Sequence, residues 1–383
     1  MSSARRDFLR TLGFAVAAGM APKPGLAITL PAAGTTEPVR SGQSATIHLN
    51  NNENAYGPSE SVLAAIRSGM TTANRYPEAG SDELIERIAQ FHHVKAEQVI
   101  VGCGSTEVLQ AAALTFLGPG KKLVQALPTY EAMEYYARSS GAEVVSLPLN
   151  RRFAHDLDAM LARVDGSTGL VYICNPNNPT ASVTPRAKLE EFIAHLPPSC
   201  CVLIDEAYHH FARQSPDDWS FVDHFLPDGR IIVTRSFSHA YGLAGLRIGY
   251  GVAPAEMVRR MRAHMPEDNI NAVAARAAIA ALADTDGLER AVKRNANDRQ
   301  EFFNQAMARA MKPIDSHANF AMMNTYYPAT MISGHFRENN ILIGPVFPAL
   351  NTHIRVSFGM PEEMEAFWRV WDTLPVDKAS MHH

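Results

Sequence analysis

Two segments of the sequence carry residue types that bind phosphate. Residues 102–107 read Gly-Cys-Gly-Ser-Thr-Glu and lie between an apolar run and an apolar pattern with helical spacing. Glycines let the backbone approach an anion closely, and the first N–H groups of a new helix are unpaired donors. Residues 234–250 contain Ser236, Ser238 and Arg247, which combine two hydroxyls with a rigid fork of guanidinium donors. Both segments favour binding of a dianionic phosphate, although a plain strand-to-helix turn also explains the first one alone.

Two more segments place polar side chains after apolar runs. Asp205 follows Val-Leu-Ile at residues 202–204, and a carboxylate there is costly to bury unless a cation or a hydrogen-bond donor meets it. We therefore expect Asp205 to face a protonated nitrogen, with Tyr208 in reach of the same ligand. Residues 173–180 read Ile-Cys-Asn-Pro-Asn-Asn-Pro-Thr. The two prolines fix φ, and we expect the asparagine amides to point outward from a rigid turn.

The elements that position these residues form an alternating pattern. Apolar, strand-like runs occupy residues 99–102, 122–125, 143–147, 170–174, 201–204, 230–234 and 248–252. Helical spacing of apolar residues occurs between them, for example at 106–116 and 130–139. This alternation predicts an α/β fold: a three-layer αβα large domain with a mainly parallel sheet, in which functional loops lie at the ends of strands.

After residue 275 the pattern changes. Long helices are predicted at 272–283 and 288–311, followed by short strands around 320–324, 341–343 and 353–357. A chain of 383 residues is long enough for two cores. We predict an N-terminal segment and large cofactor-binding domain at 47–275 and a smaller α+β C-terminal domain at 276–375.

The order and spacing of these motifs resemble the fold-type-I pyridoxal-phosphate enzymes, most closely the histidinol-phosphate aminotransferase branch. Residues 49–58 (Leu-Asn-Asn-Asn-Glu-Asn-Ala-Tyr-Gly-Pro) and 75–77 (Arg-Tyr-Pro) are similar to N-terminal signatures of that branch, and Asn319-Phe320 and Arg355 to its C-terminal ones. The resemblance covers roughly residues 47–372. It implies a homodimeric transaminase that acts on an amino acid and a 2-oxo acid.

The resemblance also implies residue roles. The residues implied to hold the cofactor phosphate are Gly104, Ser105, Thr106, Ser236, Ser238 and Arg247. Tyr130 is implied to stack on the pyridine ring, and Asn178 and Tyr208 to bind its hydroxyl. Asp205 is implied to keep the ring nitrogen protonated. Asn54 and Arg355 are implied to bind substrate, and Tyr56 to reach the phosphate in the neighbouring subunit.

The residue after Ser238 departs from the family pattern. By resemblance a lysine stands there, forming the Schiff base with the cofactor aldehyde and later carrying a proton, but this chain has His239. Imidazole forms no stable imine, yet it moves protons near neutral pH. We therefore expect pyridoxal or pyridoxamine phosphate to bind non-covalently, with His239, Asp205 and Tyr208 as catalytic residues.

Three interpretations of His239 remain open. The histidine replaces a lysine by engineering in an otherwise ordinary aminotransferase, or a natural histidine enzyme performs proton transfer or elimination, or the chain is an inactive cofactor-binding protein.

A second departure from the family pattern concerns the substrate. Where the family's histidinol-phosphate enzymes usually carry an arginine, residues 344–347 read Gly-Pro-Val-Phe. This favours an amino acid with an apolar or aromatic side chain over a phosphorylated one.

Composition narrows the class of partner. The formal net charge is -4 and no block of like charges occurs, so no nucleic-acid or anionic-membrane partner is indicated. No metal site is predicted. The four cysteines, Cys103, Cys174, Cys200 and Cys201, show neither a disulfide framework nor a Cys-x-x-Cys pair. We expect them to be free thiols.

The N-terminus resembles a twin-arginine export signal. Arg5 and Arg6 precede a short apolar stretch that is too short to span a bilayer of about 30 Å. We predict a signal at residues 1–27, a linker rich in small residues and proline at 28–46, and a periplasmic location. If the leader is not used, the protein is cytoplasmic and the basic start is a chance feature.

Overall fold

The computed structural model describes residues 46–212, 220–222 and 229–375. The predicted signal, and the linker up to residue 45, lie outside the described residues, and both stay predictions. No helix in these ranges combines the length and apolar character needed to cross a membrane.

A seven-stranded sheet forms the centre of the fold. Its strands are β2 (Val99–Gly102), β3 (Lys122–Leu127), β4 (Glu143–Pro148), β5 (Thr168–Cys174), β6 (Cys201–Asp205), β7 (Ile231–Ser236) and β8 (Gly249–Val252). They lie in the order β2-β8-β7-β6-β5-β3-β4. β8 is antiparallel to both of its neighbours, and every other pairing is parallel. The mainly parallel sheet is the one predicted; the bounds of β2 agree with the prediction, and those of the other strands differ from it by one or two residues.

Helices cover both faces of this sheet. Every residue of β5 is buried, which requires apolar cover on the two sides because successive side chains alternate between faces. Val171 and Ile173 accordingly belong to one hydrophobic cluster, and Leu170 and Tyr172 to another on the opposite side. The predicted three-layer αβα arrangement is confirmed.

The helices from the N-terminus to the end of the sheet are α1 (Glu60–Gly69), α2 (Glu78–His92), α3 (Ser105–Phe116), α4 (Ala132–Ser139), α5 (Leu157–Leu161), α6 (Arg186–Ala194), α7 (His209–Ala212) and α8 (Ala255–Arg262). Short 3₁₀ turns occur at Met70–Thr72, Ala96–Gln98 and Ala244–Leu246. α3, which follows β2 directly, begins at the serine of the predicted phosphate segment. The loop that enters this helix therefore faces the carboxyl-end edge of the sheet.

The C-terminal part contains two small sheets and long helices. β9 (Phe320–Asn324) pairs antiparallel with β11 (His353–Ser357), and β1 (Ile47–Leu49) pairs parallel with β10 (Ile341–Ile343). The helices are α9 (Ala272–Ala283), α10 (Thr285–Ala308), α11 (Ala329–Glu338) and α12 (Pro361–Asp372), and a 3₁₀ turn spans Pro348–Leu350. A third hydrophobic cluster lies here. The domain boundary at residue 275 stays a prediction.

One helix begins earlier than predicted. α10 starts at Thr285 rather than 288, because the Asp284 carboxylate caps it by accepting a 2.9 Å hydrogen bond from the Gly287 N–H. Aspartate is a strong N-cap residue, since its oxygen satisfies an N–H that has no partner within the helix. The apolar spacing used for the prediction does not register a cap of this kind.

A buried ion pair joins the ends of β6 and β7. Glu206 and Arg235 are 3% and 1% exposed, and Arg235 donates to the Glu206 carboxylate at 2.9 Å through Nε. Glu206 also accepts hydrogen bonds from the Ser220 hydroxyl and the Phe221 N–H, both at 2.8 Å. A buried pair with its remaining donors and acceptors satisfied holds its elements in one geometry. It thereby fixes the carboxyl ends of the two strands beside each other.

The cysteines are free thiols, as predicted. Cys174, Cys200 and Cys201 are buried in or beside the strands, and Cys103 is exposed in the loop before α3. Burial raises the pKa of the Cys201 thiol to about 11. The buried thiols therefore act as small apolar side chains.

Candidate active site

A cavity of about 450 Å³ lies at the carboxyl ends of the parallel strands. The predicted site residues in its wall are Ser105, Thr106, Tyr130, Asn178, Asp205, Tyr208, Ser236, Ser238, His239, Arg247 and Arg355. They come from segments far apart in the sequence and meet because parallel strands end at one edge of a sheet. Gly104, Asn54 and Tyr56 are not part of this wall.

The predicted phosphate residues converge at one end of the cavity. Gly104 has φ +77°, and a Cβ there would lie 2.4 Å from Nη2 of Arg247, so only glycine lets the guanidinium lie against the loop. Arg247 donates through Nη1 to the Ala244 carbonyl at 2.9 Å and more loosely to the Ser238 hydroxyl at 3.4 Å. The structure thus brings together an arginine, serine hydroxyls and the N–H groups that begin α3, which suits a dianion.

Glu107 shapes the loop that enters α3. Its carboxylate accepts a 2.6 Å hydrogen bond from the Cys103 N–H and a 2.7 Å bond from the Asn269 amide. An acidic residue in the first turn of a helix is also favoured by the helix dipole. The last residue of the motif Gly-Cys-Gly-Ser-Thr-Glu therefore stabilises the loop and connects it to the segment before α9.

Asp205 lies at the floor of the cavity and is 2% exposed. Its carboxylate accepts hydrogen bonds from the hydroxyls of Tyr172 and Thr234, both at 3.0 Å. Burial raises the pKa of Asp205 to about 6, against the opposing effect of these donors. Within the described part of the chain, no cationic side chain is among the causes of this shift. A ligand that brings a positive charge to this position would stabilise the ionised carboxylate.

Arg355 and Asn178 form a hydrogen-bonded pair in the cavity wall. Arg355 donates through Nη1 to Oδ1 of Asn178 at 2.7 Å and through Nη2 to the carbonyl of Asn50 at 2.8 Å. Its Nε is buried and has no hydrogen-bond partner among the described residues. The guanidinium also lies 5.4 Å from the centroid of the Phe347 ring. This is an oriented, buried cation of the kind that binds a carboxylate.

The prediction that the asparagine amides of residues 173–180 point outward is wrong for two of the three. Asn177 is fully buried; its amide donates to the Pro128 carbonyl at 3.1 Å and accepts from the Thr129 hydroxyl at 2.8 Å. Asn175 exchanges two hydrogen bonds with the backbone of Thr184. Proline supplies no N–H, so side-chain amides take the place of missing backbone bonds in this loop. Only Asn178 reaches the cavity wall.

His239 lines the same cavity. Its Nδ1 lies 2.8 Å from the carbonyl oxygen of Asn52, and its ring stacks on Tyr208 at a centroid distance of 4.2 Å and an interplanar angle of 26°. Burial lowers the pKa of His239 to about 4, and the positive charges of Arg355 and Arg247 act in the same direction. The hydrogen bond to Asn52 opposes them without cancelling them. The ring is therefore neutral at physiological pH.

Two predicted residues lie elsewhere. Asn54 caps a turn by accepting a 3.1 Å hydrogen bond from the Tyr56 N–H, and its amide contacts the Ala240 carbonyl at 3.3 Å. The Tyr56 hydroxyl is 3.3 Å from Asp298, and the Arg294 guanidinium lies 4.1 Å from the centroid of its ring. Both residues line a separate cavity of about 260 Å³. Within one chain, neither takes part in the site described above.

The sequence reasoning assigned no role to Asn52, which is central to the site. Its φ is +57°, a left-handed conformation that asparagine tolerates better than most residues. Its side-chain amide donates to the Tyr208 hydroxyl at 2.9 Å, and its N–H donates to the Ser357 hydroxyl at 2.8 Å. The run of three asparagines at residues 50–52 could have indicated a loop with an unusual backbone conformation, because asparagine favours turns over regular structure.

Comparisons with known proteins agree with this fold. Residues 44–368 match the family model for aminotransferase class I and II. The chain is 33% identical over 321 residues to histidinol-phosphate aminotransferase 2 of Carboxydothermus hydrogenoformans, covering 83% of this chain and 88% of that protein. It is 34% identical over 329 residues to an aromatic amino acid aminotransferase of Rhodococcus erythropolis, with coverages of 85% and 90%.

Solved structures show the same similarity. The histidinol-phosphate aminotransferase of Sinorhizobium meliloti, determined in complex with pyridoxal 5′-phosphate, superposes with a TM-score of 0.80 at 27% identity, covering 88% of this chain and 92% of that one. The match to the family model covers most of the chain. The protein therefore belongs to the class I and II aminotransferase family, whose cofactor is pyridoxal 5′-phosphate.

The residues present fit that cofactor. Arg247, the serine hydroxyls and the start of α3 offer donors to a phosphate at one end of the cavity. Asp205, at its floor, is a buried carboxylate that calls for a cation, as a protonated pyridine nitrogen would supply. The individual roles of these residues stay predictions.

Cofactor affinity should depend on the ionisation of Asp205. As the pH falls through about 6, the carboxyl becomes protonated and its attraction for a protonated ring nitrogen disappears. We expect the association constant for pyridoxal phosphate to fall by up to about tenfold per pH unit below that point, as measured by absorbance titration. Asp205→Asn should bind more weakly at pH 8 and keep only the pH dependence of the phosphate. Parallel pH profiles for the two proteins would contradict this role of Asp205.

Proposed function

We propose that the protein is an aminotransferase-family enzyme that acts on an amino acid and a 2-oxo acid, binds pyridoxal or pyridoxamine phosphate non-covalently, and has His239 at the position of the family's lysine. The observation that carries the proposal is the place of His239 in the wall of the cavity that Asp205 and Arg247 also line. A histidine in this wall faces whatever the cavity binds.

The chain's own residues supply binding, orientation and proton transfer. When bound, the cofactor withdraws electrons from the substrate α-carbon. Asp205 keeps a proton on the ring nitrogen, Tyr208 and Asn178 bind the ring hydroxyl, and Arg355 binds the substrate carboxylate. The neutral imidazole of His239 takes up and returns a proton of the substrate carbon through the lone pair of its unprotonated ring nitrogen.

The substrate side chain is proposed to be apolar or aromatic. Pro345 and Phe347 line the cavity in the segment where an arginine would bind a phosphorylated substrate. Phe347 is buried and lies beside the Arg355 guanidinium, so an apolar surface adjoins the proposed carboxylate site. The similarity to a relative named as an aromatic amino acid aminotransferase supports the same class. A second candidate function, a cofactor-binding protein without turnover, rests on the missing lysine.

Restoring the lysine separates these functions. The unaltered chain and His239→Lys, each loaded with pyridoxal phosphate, are mixed with a 2-oxo acid as the amino acceptor and with either phenylalanine or histidinol phosphate as the amino donor. We expect the histidine chain to turn over the aromatic amino acid and His239→Gln, which cannot move the proton, to lose at least about 100-fold in rate. Turnover is measured as the amino acid formed from the 2-oxo acid acceptor, a product common to both donors.

The turnover of the unaltered chain and of His239→Lys distinguishes the candidate functions. Turnover by the lysine variant alone identifies the chain as an aminotransferase disabled by histidine, and contradicts a working His239. Turnover by neither chain, with cofactor affinity retained, identifies a binding protein. A preference for histidinol phosphate would contradict the substrate class.

We further propose that the protein is a homodimer in which Tyr56 completes the partner's phosphate site. Its position outside its own chain's cavity supports this. A mixed dimer of Tyr56→Phe and Asp205→Ala subunits should contain one site free of both changes, and therefore bind cofactor tightly at half of its sites. Each parent homodimer is the control. Monomeric protein in light scattering, or two weakened sites in the mixed dimer, would contradict the proposal.

Export by the twin-arginine route is also proposed, supported by Arg5 and Arg6 ahead of the apolar stretch. Residues 1–45 fused to a reporter should carry it to the periplasm, and replacing both arginines by lysine should leave it in the cytoplasm. Cytoplasmic retention of the unmodified fusion would contradict an export signal.

A further inference from the structure

Asn52 contacts both members of the stacked pair in the cavity. Its backbone carbonyl lies 2.8 Å from Nδ1 of His239, and its side-chain amide donates to the hydroxyl of Tyr208 at 2.9 Å. The two rings are stacked with an interplanar angle of 26°. One residue in a left-handed conformation therefore restrains the imidazole at its edge and the stacking tyrosine at its hydroxyl.

This contact determines which imidazole nitrogen bears the proton. A carbonyl oxygen can only accept a hydrogen bond, so the proton of this bond must lie on Nδ1. A neutral imidazole has one N–H, and its other nitrogen, Nε2, then carries a free lone pair. The bond partner of one nitrogen thus sets the chemistry of the other.

Asn319 holds the carbonyl in place. Its amide nitrogen donates to the carbonyl oxygens of Asn52 at 2.7 Å and Glu53 at 3.2 Å. Its own Oδ1 is buried and has no hydrogen-bond partner among the described residues. A flipped amide would set Oδ1 against two carbonyl oxygens and lose both bonds. The Asn319 amide therefore has one favourable orientation. The Asn52 carbonyl then accepts two hydrogen bonds, one from the Asn319 amide and one from the His239 ring.

We propose that the Asn52 carbonyl, positioned by Asn319, holds His239 in the Nδ1–H tautomer, so that Nε2 is a proton acceptor toward the ligand in the cavity. The inference deepens the proposed function by giving the direction of the first proton transfer: from the bound ligand to His239. Asn319 is a positioning residue, because it acts on His239 only through the Asn52 carbonyl.

The charged groups around the ring fit an acceptor that holds its proton briefly. Arg247, from the loop before β8, and Arg355, on β11, both disfavour a positive charge on His239. The acidic and phenolic groups that line the same cavity are Asp205, Glu53, Glu131, Tyr130 and Tyr208. Burial is the largest of the effects that keep the resting ring neutral. A proton taken up at Nε2 is thus readily returned to the ligand.

The tautomer can be measured on the full chain without any cofactor. Protein with ¹⁵N-labelled histidine is compared with His239→Gln, which identifies the resonances of His239 by their loss. We expect a protonated Nδ1 and an unprotonated Nε2 throughout pH 6 to 8. A protonated Nε2, or a ring protonated at both nitrogens at pH 7, would overturn the inference.

Asn319→Ala tests the positioning role. Without the Asn319 amide, the Asn52 carbonyl is no longer held against Nδ1 of His239, and we expect a measurable population of the Nε2–H tautomer. Asn339→Ala should leave the spectrum unchanged. Asn339 is the matched control because its amide also donates to a backbone carbonyl, that of His335, at an exposed site. An unchanged tautomer in a folded Asn319→Ala would contradict the positioning role. Should that variant not fold, the spectrum of the unaltered chain still decides the tautomer.

The two proposals fail separately. A chain with the expected tautomer that shows no absorbance change on titration with pyridoxal phosphate retains this inference and loses the proposed function. A chain that binds the cofactor but carries its histidine proton on Nε2 retains the function and loses the inference.

Discussion

A carboxylate buried at the end of an apolar strand is the constraint on which the site depends. Glu206 and Asp205 are adjacent, and both are almost completely buried. Glu206 has a permanent cation in Arg235, whereas the partners of Asp205 among the described residues are hydroxyl and N–H donors. Glu206 therefore joins two strands, whereas the carboxylate of Asp205 can still be stabilised by a positive charge on a bound ligand. This difference between neighbours separates a structural role from a functional one on physical grounds.

In the proposed function, His239 keeps part of the chemistry of the family's lysine. A lysine at this position makes a covalent bond to the cofactor and moves protons, and an imidazole is capable only of the second task. Non-covalent binding must then come from the phosphate contacts and the charge of Asp205. The clustering of Arg247, the serine hydroxyls and the start of α3 provides such contacts. The cavity can therefore bind the cofactor without a covalent bond.

Much of the fold and site follows from the sequence because the signals are local. Apolar runs such as residues 170–174 mark strands of a covered sheet, and polar residues directly after them meet at its edge. The failures are non-local. Asn52 contacts Ser357, a residue 305 positions away, and β1 pairs with β10 across the chain; no local pattern encodes either contact. The expected outward direction of the Asn177 amide is wrong because this amide bonds to the Pro128 carbonyl and the Thr129 hydroxyl of another loop.

In the proposed function, a cofactor occupies this cavity without a bond to the chain. Borohydride reduction of the cofactor-loaded protein followed by intact-mass measurement detects any such bond, with His239→Lys as the matched positive control. We expect the unaltered chain to keep its own mass of 41.9 kDa, less any cleaved leader, and the lysine variant to gain the mass of one reduced cofactor. Cofactor mass on the unaltered chain, mapped to any residue, would contradict non-covalent binding.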